Sequence, residues 1–249
     1  MALAQAHPLP VDKSVKFDEA GHVYIMPEHP LVQFTSVTSV VNTLMPPFRP
    51  GIISAKLAKA NKGRYAGMSA HEIRQSWSEA SRLGTMLHAS IEAFYNGEAK
   101  LEDVPHPDFN EIADFFSADL NLRPWRTELR MAHEELRMSG TADMIFVSPS
   151  GPAAGVTIVD WKRTAGAPKD NDYEMCRREL AHLPAGKFWR YAAQLNLYAH
   201  LLKASCNVPT ARLILVLLNP DGGYEIQDVP FMPEMQQVVD RYARPAPGP

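Results

Sequence analysis

The chain has 249 residues and a net charge of −3, with 45% hydrophobic and 21% charged residues, a balance that excludes fibrous and wholly disordered classes. It is no polycation, so any nucleic-acid contact has to come from local basic patches. Its two cysteines, Cys176 and Cys206, form neither a CxxC pair nor a disulfide framework, and they are too few for a four-cysteine iron-sulfur cluster.

Residues 1–13 read as a loose leader lacking the charged start and long apolar core of a signal peptide. The length suits one domain over 14–244, followed by a disordered tail at 245–249. The longest apolar run, 213–218, is too short to span a bilayer, so a soluble, cytoplasmic protein is expected.

Within 14–68 the pattern gives an N-terminal hairpin at 15–25 and then a short helix, capped by Ser36 or Thr38 and ended by Pro46-Pro47. A helix-prone basic region follows. Arg49, Lys56, Lys59, Lys62 and Arg64 lie in a stretch with no acid from 49 to 69, open to two readings: a nucleic-acid contact or a solvated helix face.

The best-signalled element is a helix over 70–96. Ser69 and Glu72 have the capping-box spacing, and Gly97 stands where a left-handed C-terminal glycine belongs. Ile73, Ala80, Leu83, Leu87, Ile91 and Phe94 form its apolar stripe, while Trp77, Ser81, Gly84, His88 and Glu92 share an adjacent face. His88 and Glu92 are one turn apart and can act together. A second helix over 107–120 leads into three strands between 126 and 164. After them, 166–186 is either a cover over a site or a surface excursion. A helix over 187–204 places Tyr191, Gln194 and Tyr198 on one face. A buried strand at 212–218, a partner strand behind Asp221-Gly222-Gly223 and a helix at 233–244 complete an α/β fold with a mixed β-sheet flanked by helices.

The three strands concentrate the chemistry. Strand alternation puts Asp160 and Lys162 on one side and Trp161 on the other, and the preceding antiparallel strand can deliver Asp143 beside them. Two acids next to one lysine suit a metal ion and a phosphate. Hard carboxylate oxygens favour Mg2+, and an imidazole from His88 makes the site friendlier to Mn2+. Lys162 can orient water and offset charge on the phosphorus. Asp160 and Lys162 also admit the plainer reading of a surface ion pair.

Gly140-Thr141-Ala142-Asp143 followed by Ile158-Val159-Asp160-Trp161-Lys162 resembles the core of the PD-(D/E)XK nuclease superfamily. With Gly84 and His88 as a helical G-x-x-x-H, and Gln194 and Tyr198 as Q-x-x-x-Y, it is similar to the RecB-like exonuclease branch, in the cluster-free form of phage and viral members. The resemblance implies a restriction-endonuclease-like core and Mg2+ or Mn2+ as cofactor, without an iron-sulfur cluster. It implies metal ligands at His88, Asp143, Asp160 and the main-chain carbonyl of Trp161, with Lys162 as the catalytic lysine and Gln194 and Tyr198 as positioning residues. Glu92 has no fixed role in the family, and Glu128 is the best further candidate among the remaining acids.

The expected activity is metal-dependent DNA exonuclease, acting on single strands or duplex ends. The alternatives are a structure-selective or nicking endonuclease and a catalytically idle domain that binds nucleic acid or a partner. Arg163, Lys169 and Arg190, with Arg177 and Arg178, are candidate DNA-backbone contacts. Trp161, Trp189 and Tyr191 either stack on bases or pack in the core. The chain has no P-loop or helicase motif, so unwinding or loading falls to a helicase, recombinase or single-strand-binding partner, in a setting such as recombination, DNA repair or phage DNA processing.

Overall fold

The computed structural model describes residues 2–18, 21, 23–164 and 174–243. Two short helices, α1 (Leu3–Ala6) and α2 (Val11–Ser14), precede a small hairpin of β1 (Lys16–Asp18) and β2 (Val23–Ile25). The expectation of a loose leader is corrected here. Val11 and Val15 are buried in the core, and Asp12 pairs with Arg126, so the segment is held by packing and charge. Next come β3 (Thr35–Ser36) and α3 (Val37–Leu44), the latter capped by Ser36, whose Oγ accepts from Ser39 N at 3.1 Å. The basic stretch folds as α4 (Pro50–Ala60).

The long helix α5 (Ala70–Tyr95) has the expected capping box at Ser69 and Glu72, and Gly97 takes the left-handed conformation just beyond its end. Such a cap stabilises a helix start by about 1 kcal/mol. Helix α6 (Phe109–Asp114) continues as a wider π turn through 115–119.

The strands β4 (Arg123–His133), β5 (Met138–Val147) and β6 (Val156–Arg163) pair antiparallel in sequence. Helix α7 (Lys187–Cys206) then returns the chain so that β7 (Thr210–Leu218) lies parallel to β6. The strand β8 (Tyr224–Asp228) pairs antiparallel at the edge, and α8 (Glu234–Tyr242) ends the fold. The result is a mixed sheet flanked by helices, consistent with a restriction-endonuclease-like core. Its two faces are covered separately. One apolar cluster joins Val40, Ile145, Ile158, Leu215, Leu201 and Val238, and the other joins Leu87, Ile91, Phe109, Phe146, Trp161 and Val216. Among the described residues no helix is long and apolar enough to cross a membrane.

One feature of the sheet positions the site. The strand β5 pairs with β4 along its length, but on its other side it pairs with β3 only at Met138 and Ser139, and with β6 only from Met144 onward. Between these contacts, β5 opens a gap at 140–143. Ala142 and Ile145 are three residues apart yet pack in the same cluster, so the strand changes side-chain phase across the gap. On β4 the matching position is Glu128, whose φ of 42° is left-handed in mid-strand. A non-glycine residue there is strained by about 1–3 kcal/mol, and such strain gathers at functional sites.

Candidate active site

Extending the registers by one step places Asp143 directly across from Glu128 on one side and Asp160 on the other. Three carboxylates thus stand in a row across β4, β5 and β6 at the gap, where helices from both faces of the sheet reach them. From α5, His88 Nε2 lies 2.7 Å from the Trp161 carbonyl oxygen. A carbonyl only accepts, so Nε2 carries the proton in this contact and Nδ1 is left facing Asp143 Oδ2 at 3.4 Å. That same carboxylate oxygen accepts from Trp161 N at 3.1 Å.

Ligand atoms of His88, Glu128 and Asp143 all lie within 4.8 Å of one another, a span that one cation at roughly 2.0–2.6 Å from each can bridge. The donor set fits Mg2+ or Mn2+: two hard carboxylates, one imidazole, and an Nδ1 and an Oδ2 that face each other as acceptors. Asp160 lies outside that cluster. Its side chain is 1% exposed, and Lys162 Nζ stands 2.6 Å from Oδ2 as an ion partner, although no hydrogen bond of standard geometry from the described residues reaches this oxygen. From α7, Gln194 Nε2 donates to Asp160 Oδ1 at 3.4 Å and to the Tyr198 hydroxyl at 2.9 Å. Gln194 is therefore turned inward, and it orients Asp160.

The electrostatics follow from crowding like charges in a half-buried place. Burial, reinforced by the Asp143 and Glu92 carboxylates, pushes Glu128 up to about 8. Asp160 is also raised, by burial and secondly against the pull of Lys162, with Asp143 adding to the rise. Burial alone would lower Lys162, but the charges of Asp160 and Asp143 outweigh it and hold the ammonium above its ordinary value. Burial and the nearby Glu98 raise Glu92, which lines the same cavity as His88, Glu128 and Asp143.

The remaining candidates divide. Trp161 is 1% exposed and packs among Tyr95, Phe109 and Phe116, so it is a core residue and not a base-stacking surface. Trp189 packs beside Phe188 against the core, and Tyr191 presents its ring to Lys162 Nζ at 5.2 Å from the centroid. Arg190 donates from Nη1 to Asn42 Oδ1 at 2.5 Å on the surface, linking α7 to α3. Arg163 ends β6 within electrostatic reach of Glu79 on α5. Arg177 lines a groove of about 570 Å3 with Arg49 and Lys56, which brings the basic stretch and the segment after β6 together. Lys169 and the span 165–173 lie outside the described residues.

Glu128, only a further candidate in the sequence, is brought into the tightest cluster, whereas the anchor of Arg126 on Asp12 was missed.

A glycine sets the back of the site. A Cβ at Gly140 would come 2.8 Å from Tyr198 Cε1 and 3.1 Å from Val37 Cγ2. Gly140→Ala is expected to cost about 1–3 kcal/mol by overpacking. That lowers the melting temperature by roughly 2–4 °C per kcal/mol at this chain length. An unchanged melt would show that the tyrosine has room to move.

No family model and no curated protein matches the chain. Among solved structures it is similar to SSO0001, with 14% identity, a TM-score of 0.39, and coverage of 84% of this chain and 72% of that one. It is also similar to a Eubacterium rectale structure named "Putative exonuclease", with 10% identity, a TM-score of 0.38, and coverage of 91% and 82%. Likenesses this distant leave function to the residues themselves.

Proposed function

We propose that the protein is a divalent-cation-dependent nuclease of the PD-(D/E)XK type that hydrolyses DNA from strand ends. The observation that carries this reading is the convergence of His88 from α5, Asp143 from β5, and Asp160 and Lys162 from β6 at the gap in the sheet, backed by Gln194 and Tyr198 from α7. Charge repulsion makes such a cluster unstable unless it serves a cation or a proton.

His88, Glu128 and Asp143, with Asp160 beside them, would hold Mg2+ or Mn2+. When bound, the ion supplies Lewis acidity toward a phosphate oxygen and lowers the pKa of water. Lys162 stays protonated beside two carboxylates, so it acts as a charge and hydrogen-bond donor toward a nonbridging phosphate oxygen, not as a base. Gln194 fixes Asp160, and Tyr198 fixes Gln194. Arg163 and the basic groove of Arg49, Lys56 and Arg177 offer phosphate contacts, which makes binding salt-sensitive.

The test is digestion of linear DNA labelled at either end, next to a covalently closed circle, in Mg2+ or Mn2+. Loss of label from linear DNA with an intact circle is the expected result, and the labelled end gives the polarity. Equal cutting of both substrates would make the protein an endonuclease.

A further inference from the structure

The N-terminal segment crosses one end of this site. Leu3 N donates to Asn96 Oδ1 at 2.9 Å, where Asn96 caps the end of α5, and Asn96 Nδ2 in turn donates to Thr127 Oγ1 on β4 at 3.1 Å. A few residues on, Arg126 Nη1 donates to the His7 carbonyl at 2.9 Å, and its guanidinium grips the Asp12 carboxylate at 2.5 and 3.0 Å. The Leu3 side chain packs against the cluster on the α5 face of the sheet, while Val11 and Val15 are buried in the cluster on the opposite face. The segment is thus pinned to α5 at one point and to β4 at another, and it bridges the space between them.

That space is continuous with the catalytic one. A cavity of about 670 Å3 has Ala2, Ala4, Gln5 and Pro8 on one wall and Ala89 and Ala93 on the other. It shares Ala89, Glu92 and Glu128 with the 380 Å3 cavity that contains His88 and Asp143. Its size is that of a small-molecule site, roughly 300–1,000 Å3. From His88 to Asn96 the helix advances only about 12 Å, at 1.5 Å per residue. This cavity carries both signs of charge, Glu92, Glu98 and Glu128 beside Arg126 and Arg130, so the strap acts by its bulk and not by its field.

We infer that residues 2–8 form a strap closing the Asn96 end of the groove, so that the site accepts a strand terminus but no continuous strand, and releases very short products. This rests on the nuclease reading above and identifies the structural element that enforces end selectivity. Deleting residues 2–8 removes α1, which buries no residue fully, and keeps Val11, Asp12 and Val15. Leu3→Asp removes the packing of the Leu3 side chain against the α5-face cluster without shortening the chain.

The experiment compares both variants with wild type on end-labelled linear single strands and on closed circular single-stranded DNA, after circular dichroism melts have shown which of them fold. Wild type is expected to spare the circle and yield very short products. The deletion is expected to cut the circle at least tenfold faster than wild type and to lengthen the products, and Leu3→Asp to shift both in the same direction. If the deletion fails to fold, Leu3→Asp decides. Folded variants that cut linear DNA but leave the circle intact and the product length unchanged overturn the strap, as does a wild type that cuts the circle as fast as the linear strand. A wild type that cuts no DNA at all removes the nuclease reading itself, a different failure from that of the strap.

Discussion

Replacing Lys162 by methionine is expected to lower DNA cleavage by about 10²–10⁴-fold, the range for loss of a group that acts on the transition state. It should also destabilise the fold. Asp160 is 1% exposed, and Lys162 Nζ, at 2.6 Å, is the cation beside its otherwise unpaired oxygen. Removing one partner of a buried ion pair costs about 3–5 kcal/mol, because the other charge is left desolvated. The loss is expected to be greater at high pH, where Asp160 must ionise without a partner, and smaller in acid, where it takes up a proton. Adding Asp160→Asn to Lys162→Met removes the stranded charge, so the double variant should melt above the single one while remaining inactive. Thermal melts of the three proteins at two pH values check this. A Lys162→Met protein as stable as wild type would mean that Asp160 is already neutral.

The second large effect concerns Glu128. Its carboxyl is pushed up to about 8 from an ordinary value of 4.5, chiefly by burial and then by Asp143 and Glu92. A carboxyl with a raised folded-state pKa binds more protons folded than unfolded between those two values. Stability therefore falls as pH rises from about 4.5 to 8. In chelator the melting temperature is expected to drop over this window, and Glu128→Gln should flatten the drop and melt higher than wild type at pH 8. Added Mg2+ or Mn2+ should reverse the ranking. A cation that binds only the folded state raises its stability with concentration, and the charge of Glu128 then becomes an asset. The glutamine variant should lose most of that gain. Wild type and Glu128→Gln that respond alike to the ion would place Glu128 outside the cation site. This readout is independent of catalysis.

These two residues also show where sequence reading succeeds and where it stops. Lys162, Asp160 and Asp143 are legible because strand alternation is a local rule. The apolar strand 156–161 and the hairpin before it fix which side chains share a side, and the sheet bears this pairing out. The helix α5 is legible at both ends because its cap residues are adjacent in sequence, and His88 follows from its phase. A mixed sheet flanked by helices follows from the alternation of apolar periods, but its strand order, with β3 lying parallel to β5, does not.

Glu128 is different. Its role comes from a left-handed residue in mid-strand and a gap between β3 and β6, both imposed by tertiary packing that leaves no periodic mark. The N-terminal segment was illegible for a related reason. Two helices of four residues each have no amphipathic period to detect, and what holds them is a pairing of Asp12 with Arg126 across 114 residues. Trp161 illustrates the opposite limit. An aromatic residue beside Lys162 can be a stacking platform or a core residue, and only its partners, Tyr95, Phe109 and Phe116, decide.

End-labelled linear DNA incubated with the wild-type protein in Mg2+, in Mn2+ and in a chelator, with His88→Ala and Asp143→Asn alongside, decides whether this cluster cuts phosphodiester bonds. Release of label by wild type with either ion, none in chelator, and loss of release in both variants is the predicted result. Release that persists in chelator or in the folded variants, or no release by wild type under any ion, would contradict it.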